Sequence, residues 1–161
     1  DDRNAHYLAR EYFFNNRMDE AADEFRRHLH LPTAVWGAER AQSCRYLYKI
    51  TGQKYWLDQA IMEAPGRREP LVDLAMHHYM AQEWVPCLEA ALLALRINQR
   101  PLEYLTEAEA WGATPHDLAG IACYHLGLCK QAEYHGMEAL KLSPYEDRLV
   151  GNLKLYSEAA A

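Results

Sequence analysis

The residues best suited to chemistry lie in the segment "CYHLGLCKQAEYH", residues 123–135. It contains Cys123, His125, Cys129 and His135, and such side chains are the usual ligands of a tetrahedral zinc ion. Common structural zinc sites pair their ligands at C-x2-C or H-x3-H spacing, whereas the spacing here is C-x-H-x3-C-x5-H. Whether these residues bind metal or pack in a core therefore depends on the elements that hold them.

The composition is that of an ordinary globular chain, since 50% of the 161 residues are apolar and 25% are charged. A chain of this length predicts one domain, residues 1–161. The net charge of -6 argues against nucleic-acid binding, because phosphate contacts need clustered Lys and Arg. No apolar run is long enough to span a membrane, and "DDRNAHYLAR" lacks a signal-peptide pattern. With four cysteines at irregular spacing, we expect a cytoplasmic protein that binds no membrane.

The chain repeats a helix-turn-helix pattern and has almost no strand signal. Residues 8–29, 74–95 and 119–140 each contain an apolar helical stretch, a polar or Gly turn and a second helical stretch. The last copy resembles the tetratricopeptide pattern of roughly 34 residues. Its matching residues are Gly120, Gly127, Ala132, Ala139 and Pro144. The resemblance predicts an all-α fold, in which helix pairs stack into a right-handed superhelix, or α-solenoid.

The repeat pattern divides the chain into four repeats, an insertion and a closing helix. The repeats cover residues 4–32, 36–65, 68–98 and 114–144, the insertion covers 99–113, and the capping helix covers 144–157. The second repeat is short, because the interval from Gly52 to Ala60 lacks about one helical turn of the pattern. We expect the insertion to form a turn or short helix, and the capping helix to cover the fourth repeat. Thr114 and Ser143, each followed by Pro and then a carboxylate, are predicted N-caps.

All four cysteines fall on positions of the repeat where helices pack together. A free cysteine behaves there as a small apolar side chain. We therefore expect Cys44, Cys87, Cys123 and Cys129 to be reduced, mostly buried and free of metal. A zinc site and a redox or disulfide role are the weaker alternatives. No catalytic, cofactor-binding or metal-binding residue is predicted, because no such arrangement can be identified from spacing.

Five segments carry a narrower resemblance, among them "WGAERAQSCRYL" and "AWGATPHDLAGIACYHLG". They are residues 4–29, 36–47, 64–75, 110–127 and 142–156. In this order they resemble the C-terminal tetratricopeptide-like extensions of bacterial and phage family 2 glycosyltransferases. In that family an N-terminal nucleotide-sugar domain transfers the sugar and holds its metal with an Asp-x-Asp motif, which this chain does not contain. The resemblance implies a non-catalytic glycosyltransferase module for acceptor or protein binding or for oligomerisation, with the catalytic domain outside this chain.

The alternative is a free-standing scaffold that binds a protein or peptide in its concave groove. In tetratricopeptide proteins this groove is lined mainly by the first helix of each pair. The corresponding residues here are His6, Arg10, Phe13, Tyr46, Lys49, Met76, Tyr79, Tyr124 and His125. Aromatic and Met side chains mixed with a few charges suit an extended peptide or a glycosylation acceptor. The other interpretation is that some of these residues pack against neighbouring helices.

Overall fold

Ten helices and no strands make up the structure, a computed structural model that describes all of residues 1–161. The all-α prediction is therefore confirmed. Contacts between helices divide the chain into two compact units, Asp1–Gly66 and Arg67–Ala161. The single domain expected from the chain length stays a prediction. None of the helices combines the length and the apolar composition needed to cross a bilayer.

The first unit consists of four helices that each pack against the next along the chain. They are α1 (Asp2–Phe14), α2 (Met18–His30), α3 (Gly37–Thr51) and α4 (Tyr55–Glu63). The turn between α1 and α2 contains Asn16, whose φ of 60° is a left-handed conformation that Asn adopts more readily than most residues. α3 ends at Gly52, whose φ is 69°. Both turns are thus placed by residues suited to positive φ.

A cluster of small and aromatic side chains joins α1, α2 and α3. Ala9 and Ala21 are fully buried, so the backbones of α1 and α2 approach closely. Phe25 of α2 stacks on Tyr46 of α3, with ring centroids 4.8 Å apart and planes 7° from parallel. Leu47 of α3 is also fully buried in this cluster. Burial of each such large side chain contributes about 1.5–3 kcal/mol, so the cluster holds the three helices together.

The pair of α3 and α4 differs from the others in the length of its second helix. α4 has nine residues, whereas α2 and α6 (Trp84–Arg96) have 13 each. Arg40 of α3 donates from Nε and Nη2 to the two carboxylate oxygens of Glu63, both at 2.8 Å. A Cβ at Gly37 would lie 2.4 Å from the carbonyl oxygen of Glu63, so only glycine lets the start of α3 meet the end of α4.

The second unit contains the remaining six helices. They are α5 (Arg68–Met80), α6 (Trp84–Arg96), α7 (Ala108–Trp111), α8 (Thr114–His125), α9 (Cys129–Leu142) and α10 (Asp147–Ala160). α5 packs on α6 and α8 packs on α9, which gives two helix pairs. α6 also contacts α8, and α10 packs on α9.

The inserted segment 99–113 contains the single-turn helix α7 and is attached to the start of α5. Trp111 donates from Nε1 to Oε2 of the buried Glu69 at 2.8 Å. The guanidinium of Arg68 lies over the Trp111 ring, 4.3 Å from its centroid. Arg67 forms an ion pair with Glu103 of the insertion. These polar contacts give the insertion a defined place on α5.

Neither of the two predicted N-cap residues is the N-cap of a helix in the structure. Thr114 lies inside α8, because Ala113 already has helical dihedral angles (φ −71°, ψ −23°) and precedes the helix as its cap residue. Ser143 closes α9 instead of opening α10, since its N–H donates to the carbonyl oxygen of Ala139 at 3.0 Å. The capping helix α10 therefore runs from Asp147 to Ala160, three residues later than the predicted 144–157.

Two glycines let α10 lie close to α8 and α9. Tyr156 of α10 is buried beside them, and Leu149, about two helical turns earlier on the same face, is also buried. A Cβ at Gly120 of α8 would lie 3.3 Å from the Tyr156 ring, and a Cβ at Gly136 of α9 would lie 2.9 Å from it. The missing side chains at Gly120 and Gly136 therefore make the space that Tyr156 fills.

We expect Gly136→Ala to lower the free energy of unfolding by about 1–3 kcal/mol relative to Gly151→Ala. Alanine favours a helix over glycine by about 1 kcal/mol at both positions. At Gly136 the added methyl group also clashes with Tyr156, whereas at Gly151 of α10 there is nothing within 4 Å. Urea unfolding followed by circular dichroism measures the difference. Equal stability of the two variants would contradict the close packing of α10.

Candidate functional site

The cysteine side chains lie in the helix packing, as their positions in the repeat predict. Cys44, Cys87 and Cys123 are buried, which confirms the packing prediction for these three, and Cys129 is half-buried. Burial raises the pKa of Cys44 to about 12 and that of Cys87 to about 11. Such thiols stay protonated at neutral pH and are poor nucleophiles. No group of three or more His, Cys, Asp or Glu side chains is arranged to hold a metal ion.

In the first unit, the structure places two of the predicted groove residues in the core. His6 is 1% exposed and Tyr46 is 5% exposed, so neither is available to a partner on the surface. Phe13 is half-buried and packs edge-on against Tyr46, with centroids 4.9 Å apart. Arg10 is half-buried between the rings of Tyr7 and Phe14, and Lys49 is exposed above Tyr46. These contacts agree with the alternative interpretation, in which groove residues of the first unit pack against neighbouring helices.

His6 belongs to a buried chain of polar side chains that sequence spacing did not reveal. Ser43 Oγ lies 2.8 Å from Nδ1 of His6 and 2.9 Å from Nδ1 of His28. On its other side, His28 Nε2 lies 3.2 Å from Oε1 of Glu39. The chain links α1, α2 and α3, and each of the four residues is at most 2% exposed.

The hydrogen positions in this row of four side chains follow from the neutral state of its two histidines. Burial, followed by the charges of His28 and Arg10, lowers the pKa of His6 to about 3, and burial also lowers the pKa of His28. Neutral His28 donates from Nε2 to Glu39, so its Nδ1 accepts the hydroxyl hydrogen of Ser43. The Ser43 oxygen then accepts from Nδ1 of His6, which leaves Nε2 of His6 buried without a partner.

Ser, His and Glu are the residue types of a nucleophilic triad, but burial gives these hydrogen-bonded side chains a different role. A catalytic serine must reach a substrate carbonyl, and Ser43 is fully buried. Each hydrogen bond also depends on the relative rotation of two helices, so the chain specifies how α1, α2 and α3 pack. The arrangement is a polar part of the core.

In the second unit, a surface pocket of about 420 Å³ gathers two of the predicted groove residues with others. We call it the aromatic pocket, and it is lined by Tyr79, Met80, Gln82, Trp84, Ile121 and His125. Tyr79 and Met80 end α5, Trp84 begins α6, and Ile121 and His125 lie on α8. Gln82 lies in the turn between α5 and α6, with a φ of 57°.

The central contact of the aromatic pocket is a stack of Trp84 on His125. The two rings are 3° from parallel and their centroids are 3.9 Å apart. Tyr79 meets the indole edge-on, with centroids 6.1 Å apart and an angle of 65°. Met80 at the rim is 74% exposed. Trp84 was not predicted as a binding residue, although two aromatic residues flanking one turn are a signal that can indicate an aromatic surface.

The other two predicted groove residues of this unit do not line the aromatic pocket. Tyr124 is half-buried and packs against Tyr156 of α10, with ring centroids 5.5 Å apart. Met76 is exposed one helical turn before Met80. The groove prediction as a whole stays a prediction, and Tyr79 and His125 are the members that the structure brings together.

The aromatic pocket is lined by aromatic, apolar and amide side chains. Its side chains offer flat aromatic faces, a thioether, and a few hydrogen-bonding groups from Tyr79, Gln82 and His125. It contains no carboxylate, thiol or aliphatic hydroxyl among the lining side chains. Its volume lies within the range of about 300–1,000 Å³ that small-ligand pockets usually have.

No protein-family model matches this chain, and no curated protein matches its sequence.

Proposed function

We propose that this chain is a non-catalytic binding module, built of tetratricopeptide-like helix pairs that stack in a right-handed superhelix. The observation that carries the proposal is the aromatic pocket, with its Trp84–His125 stack on the surface of two adjacent helix pairs. In repeat proteins of this kind the surface lined by first helices binds partners, and Tyr79 and His125 belong to such helices.

The partner that best fits this pocket is an extended protein segment with an aromatic or apolar anchor. The rings of Trp84 and Tyr79 supply contact area at low entropic cost, because aromatic side chains have few rotatable bonds. The exposed thioether of Met80 adapts to the shape of the guest. Gln82 and His125, which also line the pocket, can bond to the backbone of a bound segment.

The resemblance to family 2 glycosyltransferases gives this module a more specific setting. We infer that it extends a catalytic domain outside this chain and that the bound segment is the glycosylation acceptor. Remote contacts of this kind raise catalytic efficiency by holding the acceptor near the reacting centre. The region encoded before Asp1 tests this setting: a nucleotide-sugar domain with Asp-x-Asp supports it, whereas an unrelated domain favours a free-standing scaffold.

The binding proposal is tested by selecting peptides from a displayed library on the 161-residue chain. We expect the selected peptides to carry an aromatic or large apolar anchor, and their affinity to fall about tenfold for His125→Ala and for Tyr79→Ala. His125 is exposed, so its removal leaves the core intact. Tyr55→Ala removes an exposed aromatic side chain of the other unit and is the matched control.

Three results count against the proposal, two from this selection and one from a separate assay of sugar transfer. They are a library without enrichment, selected peptides that bind His125→Ala and Tyr79→Ala as well as the original chain, and sugar transfer by the chain alone. If the two substitutions instead reduce the mass measured by light scattering, the pocket serves an interface between copies of this chain.

A further inference from the structure

A second pocket of the Arg67–Ala161 unit, of about 500 Å³, has a chemistry unlike that of the aromatic pocket and shares no residue with it. Basic side chains come to it from four helices: Arg68 from α5, Arg96 from α6, His116 from α8 and His135 from α9. No carboxylate is among its lining residues. We call it the arginine pocket.

The guanidinium of Arg68 is held in place by groups that do not neutralise its charge. Its Nε donates to the carbonyl oxygen of Ile97 at 2.7 Å, and its Nη1 lies 3.4 Å from the carbonyl oxygen of Ala110. Its plane also lies over the Trp111 ring. The carboxylate nearest to it along the chain, Glu69, is occupied by the indole N–H of Trp111. Arg68 therefore presents a fixed positive charge, since guanidinium is not deprotonated in proteins.

Arg96 supplies a second positive charge at the mouth of the pocket. It is exposed at the end of α6, and its guanidinium takes part in no hydrogen bond or ion pair of the structure. Most of the other arginines of the unit, including Arg67, Arg100 and Arg148, have a partner on another side chain. The guanidinium of Arg96 thus keeps all its donors for a bound group.

His116 and His135 form a pair that always retains one further donor. Their Nδ1 atoms are 3.0 Å apart, so one ring donates and the other accepts. The accepting neutral ring must carry its hydrogen on Nε2, whichever of the two it is. Burial and the charge of His116 lower the pKa of His135 to about 4, and burial lowers the pKa of His116.

The charges that act on the histidine pair are those of Arg68 of α5 and Glu138 of α9. Arg68 disfavours a second proton, whereas Glu138 of α9 favours it. Glu138 is itself paired with Lys141, which weakens its influence. The titratable and charged groups that face the pair are Arg68 of α5, Arg96 of α6 and Tyr134 and Glu138 of α9, and α10 adds Tyr156 beside Gly136. An anion in the pocket would shift this balance toward protonation.

The remaining walls of the arginine pocket are apolar or aromatic. Leu92 and Leu95 come from α6, and the ring of Tyr134 comes from α9. Guanidinium forks match the oxygens of carboxylate, phosphate and sulfonate groups. A pocket of about 500 Å³ also has room for more than the anionic group alone.

We propose that the arginine pocket binds a small ligand in which an oxyanion is attached to an apolar body. Arg68 and Arg96 contact the oxyanion, and Leu92, Leu95 and Tyr134 contact the body. The histidine pair supplies an N–H donor and takes up a proton when the anion binds.

Calorimetric titration of the whole chain with benzenesulfonate tests this proposal. The comparison ligands are methanesulfonate, which lacks the aromatic body, and benzyl alcohol, which lacks the charge. We expect benzenesulfonate to bind more tightly than either, and Arg96→Ala to weaken it about fivefold or more. Arg100→Ala is the control, because it removes the same charge from an exposed position outside the pocket. Benzoate and phenyl phosphate, titrated in the same way, distinguish a carboxylate from a phosphate as the preferred group.

The pH dependence of binding tests the histidine pair, and its loss in His116→Gln distinguishes the pair from a change in the net charge of the whole protein. Benzenesulfonate keeps its charge between about pH 5 and about pH 8, so any change in affinity over that range arises in the protein. We expect tighter binding at the acidic end, and loss of this dependence in His116→Gln. The proposal is overturned if binding ignores Arg96→Ala, or if benzyl alcohol binds as well as benzenesulfonate. Affinity that is constant with pH overturns the part played by the histidine pair.

Discussion

Acidification from about pH 6.5 to about pH 4 is expected to lower the free energy of unfolding by about 3 kcal/mol through His6 alone. The imidazole has a pKa of about 6.5 in an unfolded chain, whereas burial lowers the pKa of His6 to about 3 in the folded one. Between these pH values His6 binds a proton in the unfolded chain but not in the folded one. Stability therefore falls by about 1.4 kcal/mol for each unit of decreasing pH, and above about pH 6.5 this group has no effect.

His135 and His28 act in the same direction as His6. Burial lowers the pKa of His135 to about 4 and also lowers the pKa of His28. All three histidines contribute stability that is fully present above the unfolded pKa and is lost as the pH falls toward the folded pKa. The acid sensitivity is thus a property of buried polar packing in both units.

Urea unfolding followed by circular dichroism at a series of pH values measures this effect. In His6→Gln the amide can donate to Ser43 in place of the imidazole but does not titrate, so the slope below about pH 6.5 should decrease by about 1.4 kcal/mol per pH unit. His30→Gln, which removes an exposed imidazole by the same substitution, is the matched control. An unchanged slope in His6→Gln would show that His6 is not buried in the neutral form.

Tyr156→Ala is expected to lower the free energy of unfolding by about 3–5 kcal/mol, as removal of a buried aromatic side chain usually does. Tyr156 is 3% exposed and packs with Cys123 and Ala132. Gly120 and Gly136, which lie against the Tyr156 ring, have no side chains that could fill the space left by its removal. A cavity would therefore remain. Because Tyr156 is one of the two buried side chains of α10, the variant should also expose the apolar surface of α8 and α9.

Tyr145→Ala is the matched control for this substitution. Tyr145 is 96% exposed in the turn before α10, so the same chemical change should alter stability by less than about 0.5 kcal/mol. Urea unfolding compares the two variants, and binding of a hydrophobic dye detects exposed apolar surface in Tyr156→Ala. Similar stability of the two variants would mean that α10 does not act as the cover of the preceding helix pair.

The sequence predicts a site residue when its position in the repeat is enough to place it on the surface. Tyr79 and His125 were predicted as groove residues from their positions in the repeat, and both line the aromatic pocket. His6 and Tyr46 were predicted by the same rule and are buried. The difference lies in their neighbours, because Phe25 stacks on Tyr46 and Ser43 bonds to His6, and neither contact is visible in the spacing of the repeat.

The arginine pocket also depends on contacts that the sequence does not show, and none of its residues was among the predicted groove residues. Arg68 and Arg96 lie 28 positions apart, and His116 and His135 lie 19 apart, so no short motif connects them. Whether such side chains meet depends on the rotation of each helix about its axis and on the angle at which two helices cross. A rotation of one residue, about 100°, would turn any of them away from the pocket.

Hydrophobic periodicity and small residues at regular offsets were enough to determine the helices, the helix pairs of the all-α fold and the burial of Cys44, Cys87 and Cys123, because these depend on neighbours within about two helical turns. Tertiary structure alone decided that Ser43 joins His6 to His28, that Trp84 stacks on His125, and that α10 starts at Asp147. Each of these depends on contacts between helices, whose geometry follows from the packing of all side chains at once.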